Sequence, residues 1–252
     1  MPRQAREKSK SGIYHIILRG TNKQIIFEEE EDKVKFIETL NDYKEKSGYK
    51  IYAYCLMGNH IHLLIQEGKE ELGIVMRRIG ASYVYWYNWK YQRCGHLFQD
   101  RYKSETVDDD SYFLTVVRYI HQNPLKAGLV NDISNYRWCS YNEFVEKKVI
   151  TDIDFALNMF SKDRENAMEA FKAFHNEMNN DICLELEHKR RLTDDEAIKI
   201  IKKTCSTINC QELQCFEPET RSKYLKDLKE QGLSTRQLER LTGISRMIIL
   251  KA

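Results

Sequence analysis

The 252-residue chain is 42% hydrophobic and 31% charged, with 11 Gly and 3 Pro, a globular balance that excludes collagen-like, low-complexity and wholly disordered chains. Its net charge of +2 is too near balance to identify a nucleic-acid partner or to argue against one. No apolar run approaches the roughly 18 to 20 residues of a membrane span, the basic N-terminus has no apolar stretch behind it, and the seven Cys include no C-x-x-C pair. The expectation is a cytoplasmic protein with reduced thiols and no membrane partner.

A basic tail over residues 1–11 leads into a β-rich run, Ile13 to Leu18, closed by the turn-like Arg19-Gly20-Thr21-Asn22. Apolar residues Val34, Phe36, Ile37, Leu40 and Tyr43 then recur at helical spacing behind the acids Glu28 to Asp32, which favour a helix N-terminus. That helix should stop near Ser47-Gly48. Tyr49 to Leu56 and Ile61 to Gln66 read as strands joined at Met57-Gly58-Asn59-His60, a hairpin. Leu72 to about Trp89 is helical, with the aromatic run Tyr83 to Trp89 mostly packing on the sheet, and Leu97 to Val107 is extended. Asp108 to Ser111 supplies acids and a cap for a helix over Tyr112 to Asn123, which Pro124 should end. The order β-α-β-β-α-β-α predicts an α+β fold, a ferredoxin-like antiparallel sheet with helices. It is followed by an all-α region in which residues 149–215 read as a helical spacer and 216–252 as a helix-turn-helix.

His60 and His62 are two apart at the start of a strand, so both imidazoles project from one face and can meet one ion, while Ile61 points into the core. Tyr119 and Asn123 are four apart on a helix and share a face. Asn123 would complete a His-His-Asn set suited to Mg²⁺ or Mn²⁺ rather than to a thiolate zinc site. Gln122 competes for that role, but its position on the helix angles it away. Either signal alone is also what packing produces, since the chain holds 15 Tyr. His15, His96 and His121 read as structural or contact residues rather than ligands, and Cys205, Cys210 and Cys215, at intervals of five, do not match a zinc knuckle.

Four ordered blocks then resemble the single-tyrosine HUH transposases, most closely the REP-associated tyrosine transposases: Tyr14 to Gly20, Tyr54 to Leu64, Gly95 to Ser104 and Arg118 to Gly128. The resemblance covers Gly12 to Tyr141 and implies an HUH core over residues 12–148. It implies a single-strand DNA endonuclease and strand transferase acting on hairpin-forming DNA, with Tyr119 as nucleophile and a divalent cation on His60, His62 and Asn123. A phenol's ordinary pKa is about 10, so the metal or a base must assist its deprotonation. Attack would leave a 5′-phosphotyrosine and a free 3′-hydroxyl. Arg19, Asn22, Lys23, Arg77, Arg78, Arg101 and Lys103 are the expected DNA contacts in this part.

Near the C-terminus, Ser234 to Gln237 forms a capping-box pattern, with a turn at Thr242-Gly243 and a short second helix from Ser245. Arg236 and Arg246 are the candidate duplex contacts there. Competing readings are a DNA-binding regulator of the same fold that cuts nothing, and an HUH replication initiator. The resemblance leaves monomer and homodimer both open, and suggests association with the nucleoid.

Overall fold

The computed structural model describes residues 6–177, 179–184 and 192–251. These residues fall into two compact units that divide between residues 186 and 187. Four strands, β1 (Ile13–Arg19), β2 (Lys50–Met57), β3 (His60–Gln66) and β4 (Lys103–Thr106), pair antiparallel in the order β2-β3-β1-β4. With α1 (Glu30–Ser47) between β1 and β2 and α2 (Leu72–Lys90) between β3 and β4, this is the expected ferredoxin-like arrangement.

Period-two side-chain alternation builds two cores on the two faces of the sheet. Tyr14, Ile16 and Leu18 of β1 and Ile61, Leu63 and Ile65 of β3 meet Phe36 and Leu40 of α1 and Val75, Ile79 and Tyr83 of α2. On the opposite face Leu64, Ala53, Cys55 and Met57 meet Phe113, Val116, Val117 and Ile120 of α3 (Asp110–Lys126). The helix ends follow from the sequence. Glu29 and Asp32 form a capping box at the start of α1, and Gly48 ends it in the left-handed region at φ 69°. Asp109 caps α3 by accepting from Tyr112 N.

Three expectations change. The extended stretch Leu97 to Val107 yields a strand only over Lys103–Thr106, because the segment before it touches the sheet through the single bridge Gly20↔Phe98. Pro124 does not end α3, which runs on to Lys126. A proline that close to the C-terminus forfeits one intrahelical bond rather than several, and its own carbonyl accepts from Leu129 N at 2.9 Å. The chain also divides elsewhere than at 148 and 215. Residues 149–184 are no spacer: α5 (Ile153–Phe160) and α6 (Arg164–Asn176) contribute Ile153, Leu157, Ala167 and Phe171 to the α3 core. Their amphipathic faces needed a partner, and the outer surface of α3 supplies it, together with the short α4 (Tyr141–Val145).

The second unit packs α7 (Asp194–Cys205), α8 (Pro218–Glu230), α9 (Thr235–Thr242) and α10 (Arg246–Lys251) around Ala197, Ile201, Leu213, Leu225, Leu228, Leu238 and Ile249. Residues 194–215 therefore belong to it and not to a linker. Gly243 turns the chain between α9 and α10 at φ 73°, where a Cβ would lie 2.3 Å from Nε2 of Gln214. Only half of the expected capping box forms. The Ser234 hydroxyl accepts from Gln237 N, but the Gln237 side chain donates to Leu192 O and Asp194 Oδ1.

Candidate active site

In an antiparallel pair, residues directly opposite each other project to the same face. The register sets Ile17 opposite His62 on one side and opposite Lys103 on the other, with Arg19 opposite His60 and His15 opposite Glu105. One sheet face thus carries Glu105, Lys103, His15, Arg19, His60 and His62. Helix α3 lies across it and sets the Tyr119 ring edge-on to two imidazoles, with centroids 5.8 Å from His15 and 5.8 Å from His62. The His60 and His62 rings are 5.1 Å apart. Tyr119 and the histidine pair, almost sixty residues apart along the chain, therefore meet on one surface.

The hydrogen bonds decide which ring atoms are available. His62 Nδ1 lies 3.1 Å from His15 Nε2, in a fully enclosed pair. Asn59 Nδ2 donates to Lys23 O, so its Oδ1 is the atom 2.7 Å from His60 Nδ1 and accepts that ring's N–H. Nε2 is then the acceptor nitrogen of His60. Burial, then the neighbouring His15 and His60 charges, drive the His62 pKa well below its ordinary 6.5, which keeps it neutral, as a ligand or base must be. Asn123 donates from Nδ2 to Tyr119 O at 3.2 Å, so Oδ1 is the atom with which it could act as a ligand. Gln122 is turned the other way: its Nε2 donates to His175 O at 2.7 Å and its Oε1 accepts from Asn179. His121 is buried and committed to His175 and Ser140. Among the described residues no group of three or more His, Cys, Asp or Glu is placed to hold a metal ion. A cation here would depend on two imidazoles and one amide oxygen, a set that accepts Mg²⁺ or Mn²⁺ only with further oxygen from water or phosphate.

Residues that the sequence reading did not assign to this site flank Tyr119 or fix its helix. Lys126 holds its ammonium 4.9 Å from the Tyr119 ring centroid, a pairing readable as i and i+7 on one helix face. Arg118 is clamped by Asp181 through Nε and Nη2 at 2.8 and 3.0 Å, donates to Glu177 and Phe174 O, and stacks on the Phe174 ring. His15 and Glu105 enter only through cross-strand register. No local pattern could have found them.

Against this geometry, a family model for IS200-like transposases matches residues 8–123, from the tail before β1 to the candidate ligand Asn123. That stretch is thus similar to an IS200-like transposase domain. A Haemophilus influenzae (strain Rd) protein described as a REP-associated tyrosine transposase is 23% identical over 164 residues, covering 59% of this chain and 90% of that protein. A solved structure of a REP-associated tyrosine transposase bound to a REP hairpin aligns with a TM-score of 0.50 at 17% identity, covering 61% of this chain and 96% of that one. That likeness supports the fold.

Within the matched stretch the side chains expected to meet DNA separate into groups. Arg19 and Lys103 stand on the histidine face, and Asn22 and Lys23 are exposed in the turn after β1. Arg77 and Arg101 line a different cleft of about 820 Å³ between α2 and the 96–102 segment, along with His96, Gly80, Val84 and Phe98. Arg78 is exposed but engaged by Glu70 at 2.6 and 2.8 Å. Arg236 and Arg246 are exposed in the second unit.

Proposed function

We propose that the chain is a tyrosine transposase of the REP-associated type, which binds hairpin-forming single-stranded DNA and cuts and rejoins it through Tyr119. The observation that carries this reading is the position of the Tyr119 ring against His62 on the face that also holds His60, inside the matched domain. In the proposed reaction, Tyr119 Oη attacks phosphorus in line, the bond to the 3′ oxygen breaks, and that oxygen leaves as a hydroxyl after taking up a proton. The product is a 5′-phosphotyrosine, which keeps the phosphodiester's energy for joining to another strand. A divalent cation held by Nε2 of His60, Nε2 of His62 and Oδ1 of Asn123 would supply the positive charge that stabilises the phosphate oxygens in the transition state.

The remaining work falls to the chain itself. Asn123 is tied to the backbone of Tyr119 one helical turn away, so ligand and nucleophile are held in fixed relation. Lys126 stabilises negative charge developing on the phenol from above its ring. Arg19 and Lys103 bracket the strand along the histidine face, Arg77 and Arg101 hold a second part of the DNA, and α9 and α10 offer Arg236 and Arg246 to duplex.

The test is covalent capture. Single-stranded hairpin DNA with Mn²⁺ should give a protein–DNA adduct with wild type and none with Tyr119→Phe, while both bind the hairpin equally. Wild type that binds the hairpin but forms no adduct would instead identify a DNA-binding regulator on the same fold.

A further inference from the structure

A bare H-x-H pair can present either ring nitrogen to its site, and only one choice is useful. The structure contains a device that makes the choice for His62. Glu105 on β4 stands opposite His15 on β1, which in turn stacks on His62 of β3 with centroids 5.4 Å apart, so three strands lay a carboxylate and two imidazoles in a row. Glu105 Oε2 is 3.7 Å from His15 Nδ1. That distance is an electrostatic contact rather than a hydrogen bond, and Nδ1 is a buried polar atom with no other hydrogen-bond partner. Glu105 is in turn oriented by Leu184 N, which donates to Oε2 at 3.0 Å.

A carboxylate only accepts. The proton of neutral His15 therefore sits on Nδ1, facing Glu105, and His15 Nε2 is left with a lone pair. The 3.1 Å contact then has one consistent direction: His62 Nδ1–H donates to His15 Nε2. His62 Nε2 consequently carries the ring's lone pair. The opposite arrangement would put a hydrogen on His62 Nε2, where neither a cation nor a phenolic proton could be accepted.

We propose that Glu105 and His15 are positioning residues that lock His62 in its Nδ1–H form so that Nε2 is the acceptor at the site. The inference rests on the proposed function for its purpose, since His62 serves as ligand or base there. Its structural content, the tautomer, is measurable without any reaction.

The experiment uses full-length protein labelled with ¹⁵N histidine, in which long-range ¹⁵N–¹H spectra distinguish Nδ1–H from Nε2–H rings. His62→Gln assigns the signal. Wild type should show His62 as Nδ1–H. Leu184 N and His15 Nδ1 face the same oxygen, Oε2, so a Gln amide oxygen there could still accept from His15; Glu105→Leu removes the acceptor outright. Nothing then holds the proton on His15 Nδ1, the reverse arrangement competes, and His62 should show an Nε2–H population. Binding of Mn²⁺ alone, read from the loss of free-ion EPR signal, should weaken roughly 10- to 100-fold in Glu105→Leu, the range for loss of such a supporting partner. Glu105→Asp, which keeps the carboxylate, should keep the wild-type tautomer. A wild-type His62 in the Nε2–H form, or a His62 tautomer unmoved by Glu105→Leu, overturns the proposal. Failure of wild type to form the tyrosine adduct would bear on the proposed function and leave the tautomer result standing.

Discussion

Acid should loosen the first unit through a histidine pair that takes no part in the reaction. His175 Nδ1 donates to Phe171 O, so its Nε2 must accept from His121 Nδ1–H, and His121 Nε2 accepts from the Ser140 hydroxyl. Every proton in this chain is placed for neutral rings, and burial depresses both pKa values, that of His175 from 6.5 to about 4. Because the folded value lies below the unfolded one, the stability that depends on neutral His175 is complete above pH 6.5 and is lost as pH falls toward 4. At pH 5 the linkage for His175 alone amounts to about 2 kcal/mol, and His121 adds to it in the same direction. Trp86, Trp89 and Trp138 all lie in the first unit, so fluorescence-detected urea unfolding reports on it selectively. Wild type should lose at least about 2 kcal/mol between pH 7 and pH 5. His175→Asn, which keeps a donor for Phe171 O but cannot titrate, should be less stable at pH 7 and should lose roughly 2 kcal/mol less over the same interval. A wild-type stability that is flat from pH 7 to 5, or an equal slope in the variant, would refute the argument.

Three further outcomes follow from particular contacts. Asp181→Ala strips the bidentate partner from a nearly buried Arg118, whose side chain is 9% exposed, and should cost about 2 to 3 kcal/mol in the same unfolding assay, with Glu177 retaining part of the pairing. Asn123→Ala and Gln122→Ala should separate cleanly. The first should weaken Mn²⁺ binding with little change in stability, and the second should leave metal binding intact but cost about 1 to 3 kcal/mol by orphaning His175 O and Asn179; a calorimetric titration of metal into both variants checks this. Gly243→Ala would demand a positive φ of an alanine and force the Gln214 side chain aside, so the second unit should melt with about 1 to 2 kcal/mol less stability by helical circular dichroism.

The sheet and the histidine pair were legible because both are local. Alternation of period two turns His60 and His62 to one side of the strand and Ile61 to the other, and no distant residue can change that parity. The helical spacing of Tyr119 and Asn123 is equally local, and Asn123 Nδ2 donates to the Tyr119 carbonyl one turn back. What stayed hidden depends on partners far along the chain. The role of His15 depends on which strand lies beside β1. The function of 149–184 depends on which surface its apolar stripe covers, and an amphipathic pattern states only that some surface must be covered. Pro124 misled for a related reason: it was read as a stop signal, whereas within three residues of the helix end it has almost nothing left to break.

Helix α3 is covered on both sides, by the sheet beneath and by α6, Glu177 and residues 179–184 above, which hold Arg118, His121 and Gln122 in turn. Lifting Tyr119 away from the sheet would break all three anchors at once and expose two apolar faces. In the proposed reaction the tyrosine is therefore a fixed post and the DNA is the moving part. The scissile phosphate must be brought to a stationary hydroxyl, so access to Tyr119 Oη, rather than any swing of the nucleophile, would govern which strands can be cut.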